Sequence, residues 1–307
     1  MPIDEAGKSS WSHAWIATSV SAMSNDGRAW LITGASSGFG RTIAEAALAR
    51  GDAVVATARR TDALGDLGPD ERVHRVALDV TDAAQRDAAV AAAVERFGRI
   101  DVLVNNAGRT QVGAVEETTD DELRFLFELH FFGPAALTRA VLPHMRRQGG
   151  GTIVQMSSVG GQVTAPGFSA YCATKFALEG LTETLRDEVA EFGIRTLIVE
   201  PGAFRTGLFR RDAAYMSEPM PEYANTVGPT RTYVQEGHGE QPGDPAKAAE
   251  AIITAVDSDR PPLRLVLGAD AIGNIERRLQ AVSEELAQWR AVGEATAFSS
   301  DTAEASG

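Results

Sequence analysis

The chain has a single cysteine, Cys172, in 307 residues. That rules out an internal disulfide and a cysteine-built metal cluster, so no metal is expected. A lone thiol also fits a reducing compartment, and a cytoplasmic protein is expected. Long apolar runs are lacking as well. No uninterrupted stretch approaches the roughly 18 residues that a membrane span needs, so no span is expected. Positive charge is scarce: 29 Lys and Arg stand against 42 Asp and Glu, for a formal net charge of −13. No basic block offsets it, which sets nucleic acid aside as a partner. Three lysines and four tyrosines are all the chain holds of those types. The remainder, 44% hydrophobic and 23% charged, is the composition of a soluble globular protein.

Residues 1–28 carry a weakly apolar patch, "AWIATSV", behind acidic Asp4 and Glu5. The patch is too short and too polar for a secretory core, and the segment reads as a disordered extension. Beyond it, short apolar runs alternate with helix-like stretches. The runs are "AWLIT" (29–33), "AVVATA" (53–58), "VHRVAL" (73–78), "DVLVN" (101–105), "TIVQMS" (152–157), "RTLIVE" (195–200) and "LRLVL" (263–267). Nearly continuous hydrophobicity is what parallel strands buried on both faces require. Between them, Ile43, Ala47 and Leu48, or Leu123, Leu126 and Phe127, keep helical spacing. Strand and helix in alternation predict an α/β fold: a doubly wound, seven-stranded parallel sheet with helices on both faces, in one domain over 29–292. Residues 203–243 interrupt the alternation and read as a substrate lid, while 293–307 read as a flexible tail.

Directly after the first strand comes "TGASSGFG", Thr33 to Gly40, and then the helical "RTIAEAALAR". Glycines permit a tight turn and close approach of backbone N–H groups, and the helix behind them presents its positive end to a phosphate. Gly34, Ser36, Ser37, Gly38, Phe39 and Gly40 are therefore candidate contacts of a dinucleotide pyrophosphate. At the end of the second strand, where NAD-preferring sites place a carboxylate, the sequence reads "ATARR". A guanidinium suits a 2′-phosphate, which predicts NADP(H) with Arg59 as the main contact.

Tyr171 precedes Lys175 by four residues in "SAYCATKFALEG". Positions i and i+4 share a helix face, so the ammonium can lie near the phenol and favour its ionised form. Tyr171 then serves as general acid in carbonyl reduction and as general base in alcohol oxidation. Thirteen residues upstream, Ser158 stands at the end of a strand, where parallel sheets present ligand groups, and its hydroxyl can bond a developing oxyanion.

Taken together, "TGASSGFG", "LDV" with Asp79, "NNAG" at 105–108, Ser158, Tyr171 with Lys175 and "PGAFRT" at 201–206 resemble the short-chain dehydrogenase/reductase family over about residues 28–290. The resemblance implies a Rossmann-type fold. It also implies Asp79 and Val80 near adenine, Asn106 at the central strand and cofactor, Pro201, Gly202 and Thr206 around the nicotinamide, and Ser158, Tyr171 and Lys175 as the catalytic set. Pairing through two long helices, about 118–148 and 168–192, is implied too, giving a homodimer or homotetramer. One position departs from the family pattern. His130, in "LHFFG", stands where many members carry an asparagine that holds a relay water, and it is expected to take over that catalytic role.

The segment after the sixth strand holds Phe204, Leu208, Phe209, Tyr215, Met216, Met220 and Tyr223. An apolar, adaptable lid of this kind suits a medium-sized hydrophobic carbonyl or alcohol, and the chain looks most like the steroid- and retinol-dehydrogenase-like branch. Two other readings stay open at this stage: an isomerase or epimerase on the same scaffold, and a non-catalytic cofactor-binding regulator.

Overall fold

The computed structural model describes residues 27–210 and 213–298. Most of the expected N-terminal extension (1–26) and the end of the expected tail (299–307) lie outside the described residues. The chain runs β1 (Ala29–Ile32), α1 (Gly38–Ala49), β2 (Ala53–Ala58), β3 (Val73–Ala77), α2 (Ala83–Phe97), β4 (Val102–Asn105) and the short β5 (Gln111–Val112). There follow α3 (Asp120–Phe127), a π-helical turn (Glu128–Phe132), α4 (Gly133–Gln148), β6 (Gly151–Met156), α5 (Ser169–Val189) and β7 (Ile194–Pro201). The last elements are the short β8 (Tyr215–Met216), α6 (Gly228–Glu236), α7 (Pro245–Asp257), β9 (Arg264–Leu267) and α8 (Ala269–Glu294).

Seven strands form one parallel sheet in the order β3-β2-β1-β4-β6-β7-β9. Side chains alternate between its two faces, as the twofold repeat of a strand dictates. Trp30 and Ile32 join Ile43 and Ala47 of α1 and Ile252 and Val256 of α7 on one face. Leu31 faces the other way, with Leu137 and Val141 of α4 and Leu185 of α5. By length and composition, residues 120–148 form a helix apolar enough to cross a membrane. Here Leu126, Leu137, Val141 and Met145 are core residues of the folded domain.

The strand order reverses between β1 and β4, which opens a crevice at their C-terminal ends. The segment 203–243, expected as irregular chain, has structure of its own. β8 pairs with β5, aligning Tyr215 with Gln111 and Met216 with Val112, and Val227 and Val234 pack on Val112 and Ala114. The carboxylate of Glu117 accepts from Met220 N at 2.8 Å and from Arg231 at 2.7 Å, while Glu122 takes the Tyr215 hydroxyl. Proline and glycine content suggested loop because these anchors lie about a hundred residues upstream, beyond the reach of local pattern.

Candidate active site

The glycine turn closes on the switch point. Gly34 and Gly38 have φ of 67° and 55°, in the left-handed region where a side chain is strained. A Cβ on Gly40 would collide with the Gly34 carbonyl and the Asn106 amide. Ser37, which caps α1, makes no side-chain bond to the first turn, so that end of the helix keeps its N–H groups for an anion. The cradle therefore fits a pyrophosphate.

Thr33, not foreseen as a site residue, ties the two strand ends together. Its hydroxyl accepts from the N–H groups of Asn106 and Ala107 at 2.8 and 2.9 Å. Asn106 returns the contact, donating its amide to the carbonyls of Thr33 and Gly34. The signal was the first letter of "TGASSGFG", a buried hydroxyl at a strand end. Asp79 holds its own turn by accepting from Thr81 N and Oγ1, and Val80 is buried beside it. Arg59 lies exposed at the end of β2 and has no ion pair among the described residues, whereas Arg60 lies 3.7 Å from Asp62. Ser36 stays in the turn, and Phe39 opens α1, where its ring meets Phe204 edge-on at 5.2 Å. Pro201 ends β7, a Cβ on Gly202 would strike the Asp270 carboxylate, and Thr206 lies against Gly38.

Ser158 follows β6, and its Oγ accepts from Gly160 N at 3.0 Å. Tyr171 sits in the first turn of α5, its ring against Gly160 just past Ser158. Burial pushes the phenol up to about 12, a rise that the Ser158 hydroxyl opposes without cancelling. Lys175 is buried one turn along, with Nζ donating to Met156 O at 2.9 Å and lying 5.6 Å from the Tyr171 ring centre. Burial lowers this ammonium to about 8, and the Glu179 carboxylate pulls it back up. The ammonium was expected to favour the ionised phenol; burial acts in the opposite direction and is the larger effect.

His130 falls in the π-helical turn and is fully enclosed. Nε2 accepts from Arg109 N at 3.2 Å, which puts the proton on Nδ1, 3.0 Å from Thr174 Oγ1. Thr174 in turn donates to the Tyr171 carbonyl at 2.7 Å. Burial, with the Lys175 and Arg109 charges, holds the imidazole neutral, far below its ordinary pKa. Both ring nitrogens are thus used by protein groups, and its ring meets Tyr171 edge-on at 5.6 Å. Among the described residues no cluster of three His, Cys, Asp or Glu side chains could hold a metal.

A second polar group lies behind the catalytic one. Glu179, one turn past Lys175 on α5, accepts from Ser157 Oγ and is paired with Arg264 of β9, which also holds Glu200 of β7 and Glu183. Burial and the neighbouring Glu200 raise Glu179 to about 7. The spacing Lys175 to Glu179 was the available signal, but the partners on β6, β7 and β9 were not readable from it.

The family described as "short chain dehydrogenase" matches residues 28–215. Oxidoreductase BOA17 of Botryotinia fuckeliana is 40% identical over 275 residues, 87% of this chain and 98% of its own. A short-chain dehydrogenase structure from Streptomyces avermitilis shares 60% identity at a TM-score of 0.84, covering 90% of this chain and all of its own. A Burkholderia phymatum structure with NAD has 26% identity and a TM-score of 0.72, covering 85% of this chain and 95% of its own. One from Burkholderia cenocepacia with NADP has 28% and 0.64, covering 89% and 98%. Fold, site geometry and these likenesses agree that this chain belongs to the short-chain dehydrogenase/reductase family, oxidoreductases that interconvert carbonyls and alcohols with NAD(P).

Proposed function

We propose that the chain is an NADP(H)-dependent enzyme that interconverts a medium-sized hydrophobic ketone or aldehyde and its alcohol, with Tyr171 as general acid and base. The observation that carries the reading is the buried Lys175 with its Nζ 5.6 Å from the ring centre of Tyr171, at the end of the strand that Ser158 follows. A bound nicotinamide supplies or accepts the hydride. Ser158 and Tyr171 hold the substrate oxygen between their hydroxyls, and Tyr171 delivers its proton as that oxygen gains charge. Lys175, positive below about 8, stabilises the phenolate left behind. His130 stays neutral and, through Thr174 and ring contact, props the first turn of α5, with both ring nitrogens bonded to protein groups.

The exposed guanidinium of Arg59 at the β2 end, without an ion pair among the described residues, supports NADP(H) over NAD(H), through charge-assisted bonds to a 2′-phosphate. Lid side chains Met216, Tyr223 and Phe209 already pack with Val112 and Val227, and this apolar cover supports a hydrophobic substrate of the steroid- and retinol-like kind. A homodimer or homotetramer through α4 and α5, in a reducing cytoplasm, completes the proposal. The exposed Phe132 and Phe176 on these helical segments support the first, and the free buried Cys172 the second.

The test is NADPH and NADH oxidation over a panel of carbonyl compounds beside Tyr171→Phe. Expected are a preference for NADPH, activity on apolar ketones or aldehydes, and a loss of about 10²-fold or more in the variant with cofactor binding retained. Equal catalytic efficiency with NADH would remove the Arg59 reading. Turnover confined to charged sugars would remove the substrate reading.

A further inference from the structure

The last helix leaves the body of the domain and carries an apolar seam that none of the described residues covers. From Glu276 to Glu294 every residue of α8 is exposed, although Ile275 just before is buried against the domain. Among the described residues this stretch has no tertiary packing, and packing of an apolar face is what supplies most of a helix's stability in a protein. Its own surface bonds, Gln280 to Glu284 and Arg290 to Glu294, add a few tenths of a kcal/mol each.

The apolar residues are not scattered. Ile272, Ile275, Leu279, Val282, Leu286 and Trp289 recur at alternating steps of three and four. That spacing places them along one face of the helix at heptad a and d positions, the stripe through which two helices pack. Leu279, Leu286 and Trp289 are 58, 62 and 59% exposed, so the seam is open along its length. The flanking charges suit a copy of the same helix. If two run parallel, Glu285 of each faces the partner's Arg290; if antiparallel, Glu276 of each does so. Either arrangement repeats its attractive pair twice by symmetry. A lipid surface suits it less, because residues 276–294 carry three arginines against four glutamates, without the basic face that anionic headgroups attract.

We propose that this seam, from Leu279 to Trp289, is where α8 of a second copy of this chain packs, as a short two-stranded coiled coil. This contact is separate from any pairing through α4 and α5, and it does not depend on the substrate or cofactor reading. The test is the mass of the full chain by light scattering and sedimentation equilibrium. Wild type is expected as an even-numbered assembly, and Leu279→Glu with Leu286→Glu is expected to halve that mass while thermal unfolding of the domain stays cooperative. Arg277→Glu, on the face away from the seam, should leave the mass alone. Acrylamide quenching, compared with a Trp289→Phe variant, should show Trp289 shielded in wild type and open in the double variant. A monomeric wild type, or a double variant of unchanged mass, overturns the proposal. So does binding of a monomer to phosphatidylserine vesicles, or exposure of Trp289 on deletion of residues 1–26 without change of mass.

Discussion

Tyr171 keeps its proton in the resting protein because its hydroxyl is shielded from water, and this suits an acid that must give the proton up only as the substrate oxygen gains charge. The titration that matters near neutrality is then that of Lys175. In the proposed mechanism reduction needs its ammonium, and burial has brought that group to about 8. The kcat for reduction is expected to fall roughly tenfold per unit as pH rises beyond that value, in assays with saturating cofactor. Glu179 holds the lysine's proton, so Glu179→Gln should move the falling limb to lower pH by about 0.5 to 1 unit, whereas a merely structural change would lower the plateau and leave the limb in place. Arg59→Ala should raise the Michaelis constant for NADPH by roughly 10-fold and leave that for NADH within about twofold, since a charge-assisted bond to phosphate is worth about 1.5 kcal/mol. The shared helix of Tyr171 and Lys175 and the single turn of the glycines were legible because each depends on spacing within one element. Thr174 and the tautomer of His130 were not, because those depend on which backbone atom folds back onto the ring.

At the scale of elements, the π-helical turn between α3 and α4 explains how His130 reaches inward. An extra residue in the turn re-aims the side chains there, and such bulges occur often at functional sites. The lid is an element of the same importance, held by three carboxylates from the segment before and within α3. Glu116 takes the Tyr223 hydroxyl, Glu117 takes Arg231, and Glu122 takes Tyr215 and Ser217. Glu122 also completes the capping box of α3 with Thr119, so the lid is fastened to a helix end whose geometry is already fixed. Arg109 stacks between Phe125 and Tyr215, 4.5 Å from each ring centre, which closes the same corner. Tyr215→Phe keeps the stack and removes the bond to Glu122. The variant is expected to raise the substrate KM about 3- to 10-fold with kcat within about twofold, measured by steady-state kinetics. An equal fall in kcat would instead place Tyr215 in the chemical step.

The sheet of the whole molecule was readable from seven apolar runs, since burial on both faces leaves each strand as a nearly unbroken hydrophobic word. What runs across the sheet was not, and the Glu179 group is the main case. One guanidinium from the edge strand β9 binds carboxylates on α5 and β7, and Gln162 bonds the far side of Glu200 at 2.6 Å. Gly161 is glycine because a Cβ there would enter the Glu179 carboxylate. With Ser157 on the same carboxylate, the group fixes the end of β6 against α5, and so Ser158 against Tyr171 and Lys175. Its effect on stability has an unusual sign. Glu179 titrates at about 7 when folded against an ordinary 4.5, so below 4.5 both states carry the proton and no stability is lost. Between 4.5 and about 7 only the unfolded chain releases it, and stability falls as pH rises through that window. Glu117 and Glu122, whose folded values are lowered, act below the window: their contribution is present above 4.5 and is lost as pH drops further. Urea unfolding at pH 5 and at pH 7.5 should therefore show Glu179→Gln losing less stability over that interval than wild type, by on the order of 2 kcal/mol. Arg264 keeps Glu200 and Glu183 in the variant, so no buried cation is left alone to mask the difference. Parallel pH curves for the two proteins would mean that Arg264 holds Glu179 ionised down to its ordinary range; the shift in the kinetic limb would then remain, since the carboxylate beside Lys175 is charged near pH 8 in either case.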